Sequence, residues 1–118
     1  MNRLAEEKCV LCHGGVPPMS EGEIAQMLSE VPGWEVMEVE NQKRLQRTFK
    51  FRDFATALEF TNRIGQIAEA EGHHPMMITE WGKVTVAWWT HAIGGLHRND
   101  FIMAAKTNQI YAQMSPGG

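Results

Sequence analysis

The sequence predicts an α+β fold: a four-stranded antiparallel sheet with three helices packed on one face, in the order α-β-β-α-β-β-α. Three observations carry that expectation. Leu45, Arg47, Phe49 and Phe51 alternate with Gln46, Thr48 and Lys50, the period of two that marks a half-buried strand. Apolar residues between Phe54 and Ala68 recur at three- and four-residue steps, the period of a helix with one buried face. Short breaker clusters separate such runs, and a layer of helices on one face of a sheet buries both kinds of apolar surface.

The elements follow in order. Ser20-Glu21-Gly22-Glu23 is a capping box, with Ser20 placed to accept from the backbone and Glu23 to reach back. Ile24, Met27 and Leu28 share the face of the helix it opens, which runs to about Glu30 and stops at Val31-Pro32-Gly33-Trp34. WEVMEVE and LQRTFKF form a hairpin around Asn41 and Gln42. Asp53 caps the long helix, whose core face is Phe54, Ala57, Leu58, Thr61, Ile64 and Ala68, and Gly72 stops it. A second strand pair spans roughly Met76 to Trp81 and Val84 to Trp89, turning at Gly82-Lys83. Val84, Val86 and Trp88 take one face while Thr85, Ala87 and Trp89 take the other, which suits a strand packed on both sides, a neighbouring subunit included. The last helix runs from about Arg98 to Gln113, with Phe101, Ala104, Ala105 and Asn108 along one side.

A chain of 118 residues has room for one domain, expected over residues 20–114 between an arm at 1–19 and a tail at 115–118. Hydrophobic residues at 43% and charged residues at 21% are ordinary globular usage and argue against disorder. A net charge of -3 with no basic run argues against nucleic acid or an anionic membrane as partner. No segment reads as a secretory signal or a membrane span, so the expected location is the cytoplasm.

The arm carries Cys9-Val10-Leu11-Cys12-His13, the C-x-x-C-H spacing of covalent haem attachment. Haem attachment belongs to exported proteins and needs a distal ligand as well. A zinc site would need a fourth ligand, and only His13 is near. A redox C-x-x-C would open a helix, whereas GGVPP follows here. Two thiols on a polar arm are the plain reading.

His73, His74 and His91 are the residues that point to chemistry. Pro75 holds His74 extended, so His73 and His74 point opposite ways and do different jobs. The strand after Val84 runs back antiparallel and carries His91 toward the same sheet end. Imidazoles, with an unperturbed pKa of about 6.5, can serve as acid and base near neutrality. Zinc ligation and backbone-satisfied turn residues are the other two readings that spacing leaves open.

The string EAEGHHPMMITEWGKVTVAWWTHAIGGLHRND, from Glu69 to Asp100, resembles the signature of the pterin-4a-carbinolamine dehydratase family. Glu69, His73-His74-Pro75, Trp81, His91 and Asp100 fill its fixed places with every gap fitting. The likeness extends upstream through LSEVPGWEV and GGVPPMSEGEI, and bacterial members often carry a C-x-x-C arm before GGVPP. It implies dehydration of a 4a-hydroxytetrahydropterin to a quinonoid dihydropterin, recycling the cofactor of aromatic amino acid hydroxylases. Neither a cofactor nor a metal is expected. It implies that His73, His74 and His91 line the pterin site as its catalytic residues; our own expectation is that His74 is the main acid-base group, with His73 and His91 holding or polarising the 4a-hydroxyl. Glu69, Pro75, Trp81 and Asp100 join as the substrate-binding set. Of these, Glu69 either orients an imidazole or is a solvated helix charge, and Trp81 either walls the flat pterin or serves core or interface. Asp100, in the first turn of the last helix, suits a structural role at the positive end of the dipole. The resemblance also implies a homodimer or homotetramer built by joining sheets edge to edge and packing helices, and a possible hydroxylase or other protein partner. A non-enzymatic role as a binding, assembly or dimerisation-cofactor protein on the same fold is the alternative. One place departs from the family: His97 stands where a Ser or Thr usually caps the last helix, and histidine is a poorer N-cap.

Overall fold

The structure, a computed structural model, describes residues 4–9 and 17–114. Three helices, α1 (Glu21–Leu28), α2 (Phe54–Glu71) and α3 (Arg98–Met114), cover one face of a sheet. Its strands are β1 (Glu35–Val39), β2 (Gln42–Lys50), β3 (Met76–Glu80) and β4 (Lys83–Trp88), all antiparallel in the order β1-β2-β4-β3. Among the described residues no helix is long and apolar enough to cross a membrane.

The local punctuation read from the sequence is present. Ser20 and Glu23 form the reciprocal capping box of α1, and Asp53 caps α2 by accepting from the Thr56 amide at 2.8 Å. Gly72 ends α2 in the left-handed conformation (φ 67°), which a residue without Cβ adopts at no steric cost. Both hairpin turns sit one residue earlier than expected. Val39 pairs with Gln42, leaving Glu40 and Asn41 at φ 51° and 65°, the doubly positive turn that matches strand twist. Glu80 pairs with Lys83, so Trp81 and Gly82 make the second turn.

The sheet's helix-facing side presents Leu45, Phe49, Val84, Val86 and Trp88, all buried. On α2 the buried stripe is Ala57, Phe60, Ile64 and Ala68, while Phe54 and Leu58 are exposed, so the expected face is rotated. The reason is aromatic. Phe60 meets Phe49 at 4.9 Å, Phe51 at 5.0 Å and Tyr111 at 5.9 Å between ring centres, and filling that cluster turns the helix.

α3 is buried nearly all round its first half, with Ile102 and Met103 joining the expected Phe101, Ala104 and Ala105. The segment at residues 4–9 supplies the second cover. Leu4 is buried, Lys106 Nζ donates to the Ala5 carbonyl at 2.8 Å, and Arg98 grips Glu7 at 2.6 and 3.0 Å. These first residues are therefore packed rather than simply polar. Cys12 and His13 lie outside the described residues.

Replacing Phe60 with Ala would empty the centre of the aromatic cluster. We expect a loss of about 3–5 kcal/mol in urea unfolding with the fold retained. A loss below about 1 kcal/mol would show that the cluster is not central to stability.

Candidate active site

The end of α2, the end of β4 and the start of α3 meet at one carboxylate. Asp100 is completely buried, and as a carboxylate it accepts from three donors. Its Oδ1 lies 2.6 Å from His73 Nε2, and its Oδ2 accepts from Thr90 Oγ1 and from the His97 amide, both at 2.9 Å. A buried charge without partners is costly, so this set of donors is what makes Asp100 tolerable in the core.

Local sequence sets each donor. The left-handed turn at Gly72 brings the His73 amide back to the Ala68 carbonyl at 3.1 Å and aims its ring inward. That ring stacks on Trp88 at 5.7 Å and 14° between planes, and its side chain is only 12% exposed. Thr90 is fixed because its backbone pairs with Gly95 around a short turn at His91–Ile93, with Gly94 at φ 69°. A Cβ at Gly95 would stand 3.0 Å from Pro18, so a residue without one belongs there.

His74 points the other way, as extended backbone before Pro75 requires. Its side chain is 62% exposed, and Nε2 meets Glu69 Oε2 at 2.9 Å on the last turn of α2. Pro75 is half-buried between His74 and β3, and His91 is exposed beside the buried Thr90. His73, His74, Pro75, Glu69 and Asp100 thus share one neighbourhood, joined to the His91 turn through Thr90. Trp81 does not share it. At 73% exposure it occupies the opposite end of the β3–β4 hairpin, about 17 Å of strand from Met76.

Three residues of this neighbourhood escaped the sequence reading: Trp88 as a platform, Thr90 as a second anchor for Asp100, and His97 as a working cap. His97 Nδ1 accepts from the Asn99 amide at 3.0 Å, in the manner of a serine hydroxyl. Burial pushes the His97 pKa below the ordinary imidazole value; Asp100 opposes that shift and His73 adds to it. His97-x-x-Asp100 has the spacing of a capping box, the one signal in the sequence that points to this arrangement.

A family model described as pterin 4 alpha carbinolamine dehydratase matches residues 17–110, most of the chain. The chain belongs to that family. Among its relatives, a protein of Chlorobium limicola named as a pterin-4-alpha-carbinolamine dehydratase is 56% identical, the match covering 94% of this chain and 98% of the relative. One of the same name from Syntrophotalea carbinolica is 54% identical over 93% of this chain and 98% of its own. The crystal structure of a transcriptional coactivator/pterin dehydratase from Brucella melitensis superposes with a TM-score of 0.73 at 33% identity, covering 80% of this chain and 98% of that one. Membership makes the chain a hydro-lyase of pterin 4a-carbinolamines, and the match places the histidine neighbourhood inside the family's own span.

Asp100→Asn exchanges an acceptor for a donor at a buried position. At least one of His73, Thr90 and the His97 amide then loses its acceptor, at a cost of about 1–3 kcal/mol. Chemical denaturation measures the loss, and wild-type stability in this variant would show that the carboxylate is not the anchor.

Proposed function

We propose that this chain dehydrates 4a-hydroxytetrahydropterin to quinonoid dihydropterin by histidine acid-base catalysis. The observation that carries the reading is a pair of imidazole–carboxylate contacts at one sheet end, one buried (His73–Asp100) and one accessible (His74–Glu69). In the reaction the C4a–O bond breaks, a proton joins the departing hydroxyl to make water, and the N5 proton leaves as the C4a–N5 double bond forms. No electrons are gained or lost overall.

His74 is the main proton-transfer group in this reading. It is accessible to a ligand, and Glu69 fixes the ring by holding Nε2. His73, oriented by Asp100 and Trp88, and His91 hold the 4a-hydroxyl, while Pro75 keeps the two adjacent imidazoles facing apart. Asp100, completely buried, serves the substrate through His73. The pterin product is recycled for an aromatic amino acid hydroxylase in the cytoplasm, a possible protein partner.

The working unit in this reading is a homodimer or homotetramer. β3 is an edge strand with Ile78 exposed at its centre. Antiparallel pairing of two copies about Ile78 would set Trp81 of the second copy opposite Pro75, beside the histidines. Trp81 then walls the flat pterin across the interface. A second, binding role is favoured by one observation: the Brucella melitensis protein is described as both coactivator and dehydratase.

The test is dehydration of freshly generated 4a-carbinolamine, followed by ultraviolet absorbance. His74→Ala should lower kcat by about 10²–10⁴-fold. If His74→Ala keeps its rate while His73→Ala loses it, the two roles are exchanged. No acceleration by folded wild type would make the chain a binding protein on this fold. Trp81→Ala should raise KM with kcat little changed; an unaltered KM would remove Trp81 from the pterin wall.

A further inference from the structure

Two helices of this protein begin with reciprocal caps, and the caps differ in one chemical respect. At α1 the Ser20 hydroxyl accepts from the Glu23 amide at 3.2 Å while the Glu23 carboxylate accepts from the Ser20 amide at 2.9 Å. At α3 the Asp100 carboxylate accepts from the His97 amide at 2.9 Å, and the side chain facing the helix amides is the His97 imidazole, 3.0 Å from the Asn99 nitrogen. A hydroxyl keeps its lone pairs at every pH. An imidazole accepts at Nδ1 only while that nitrogen is unprotonated, so this cap requires neutral His97 with its proton on Nε2.

The carboxylate that closes this cap is the one that orients His73. We propose that His97 is a pH-sensitive positioning residue of the dehydratase site: its neutral imidazole fixes the start of α3, and thereby Asp100 and His73, in working geometry. The inference rests on the dehydratase reading and adds to it a residue that need not touch substrate. Protonation removes the acceptor for Asn99 and puts a positive charge beside His73. Loss of that acceptor frees the first turn of α3, which carries the Asp100 Oδ2 contact.

Burial favours the neutral form of His97, while the charged and titratable groups around it act in both directions. On its own helix Asp100 favours the charged form, while the Arg98 guanidinium is engaged by Glu7. From the loop after α2, His73 opposes the charge, and burial opposes it most. From the N-terminal segment, Cys9 Sγ lies 3.9 Å from the Asn99 carbonyl, and the Glu71 carboxylate is taken up by the Cys9 amide at 2.8 Å. Because the folded pKa lies below the ordinary 6.5, the unfolded chain binds the proton more readily. The stability from this group is therefore fully present above 6.5 and is lost as pH falls through the depressed folded value.

The experiment compares wild type, His97→Ser and His97→Ala, recording kcat against pH, each normalised to its own alkaline plateau, and ¹⁵N shifts of the His97 and His73 rings. His97→Ser keeps a cap without a titrating group. Its acid limb should be shallower than that of wild type by about tenfold per pH unit below the His97 titration. His97→Ala, uncapped throughout, should be less stable than His97→Ser across the pH range. In wild type the His73 ring shifts should follow the His97 titration, and in His97→Ser that step should vanish.

Superimposable wild-type and His97→Ser profiles would overturn the proposal, as would a His97 ring protonated at Nδ1 in the neutral state. Stability that follows His97 while the rate profile does not would leave a cap and no positioning role, which also overturns it. A folded wild type without turnover at any pH would instead sink the dehydratase reading. The His73 shifts would then decide separately whether His97 controls the geometry of that ring.

Discussion

A single buried carboxylate organises this molecule. Asp100 has no exposed surface, and its two oxygens are shared among donors from the loop after α2, the end of β4 and the entry of α3. Burying a charge is unfavourable unless its hydrogen-bonding capacity is met, so the three segments are held together by the cost of separating them. The site inherits this constraint. His73 cannot turn without stranding Asp100, and the turn at His91 cannot move far without withdrawing the Thr90 hydroxyl.

The helix that carries Asp100 is fixed from two sides. Beneath it, Trp88 Nε1 donates to Thr107 Oγ1 at 3.2 Å, and Tyr111 packs into the cluster of Phe49, Phe51 and Phe60. Over it lies the N-terminal segment, joined to both ends of the histidine neighbourhood: Glu7 holds Arg98 at the start of α3, and the Cys9 amide meets Glu71 just before Gly72 and His73. Far from the site, Asn108 plays a comparable part. It accepts from Trp34 Nε1 and from Arg47 at 2.7 Å each, tying the turn after α1 to β2 and α3. The Arg47 pKa is lowered by burial.

The two adjacent histidines show how one sheet end can hold unlike environments. His73 is confined between an aromatic plane and a buried acid, whereas His74 stands in solvent against an exposed carboxylate. Groups of the same chemistry placed in unlike surroundings are what a reaction that needs both a proton donor and a proton acceptor requires. The opposition arises from the backbone, since extended residues alternate and Pro75 keeps His74 extended.

What the sequence determined by itself was local. The box at Ser20, the cap at Asp53, the stop at Gly72, the alternation along β2 and the opposed directions of His73 and His74 all depend on residues within a few positions of one another. Tertiary structure decided the rest. Phe60 entered the core in place of Phe54 and Leu58 because rings from β2 and α3 meet there. α3 was buried on a second face because the N-terminal segment lay across it. Trp81 was separated from the histidines because β3 runs its full length before turning. Asp100 read in sequence as a charge at a helix start; its partners stand 27 and 10 residues away, at His73 and Thr90. Periodicity and capping describe which way a side chain points within its own segment. Which distant group it meets depends on how those segments pack, and no local pattern encodes that.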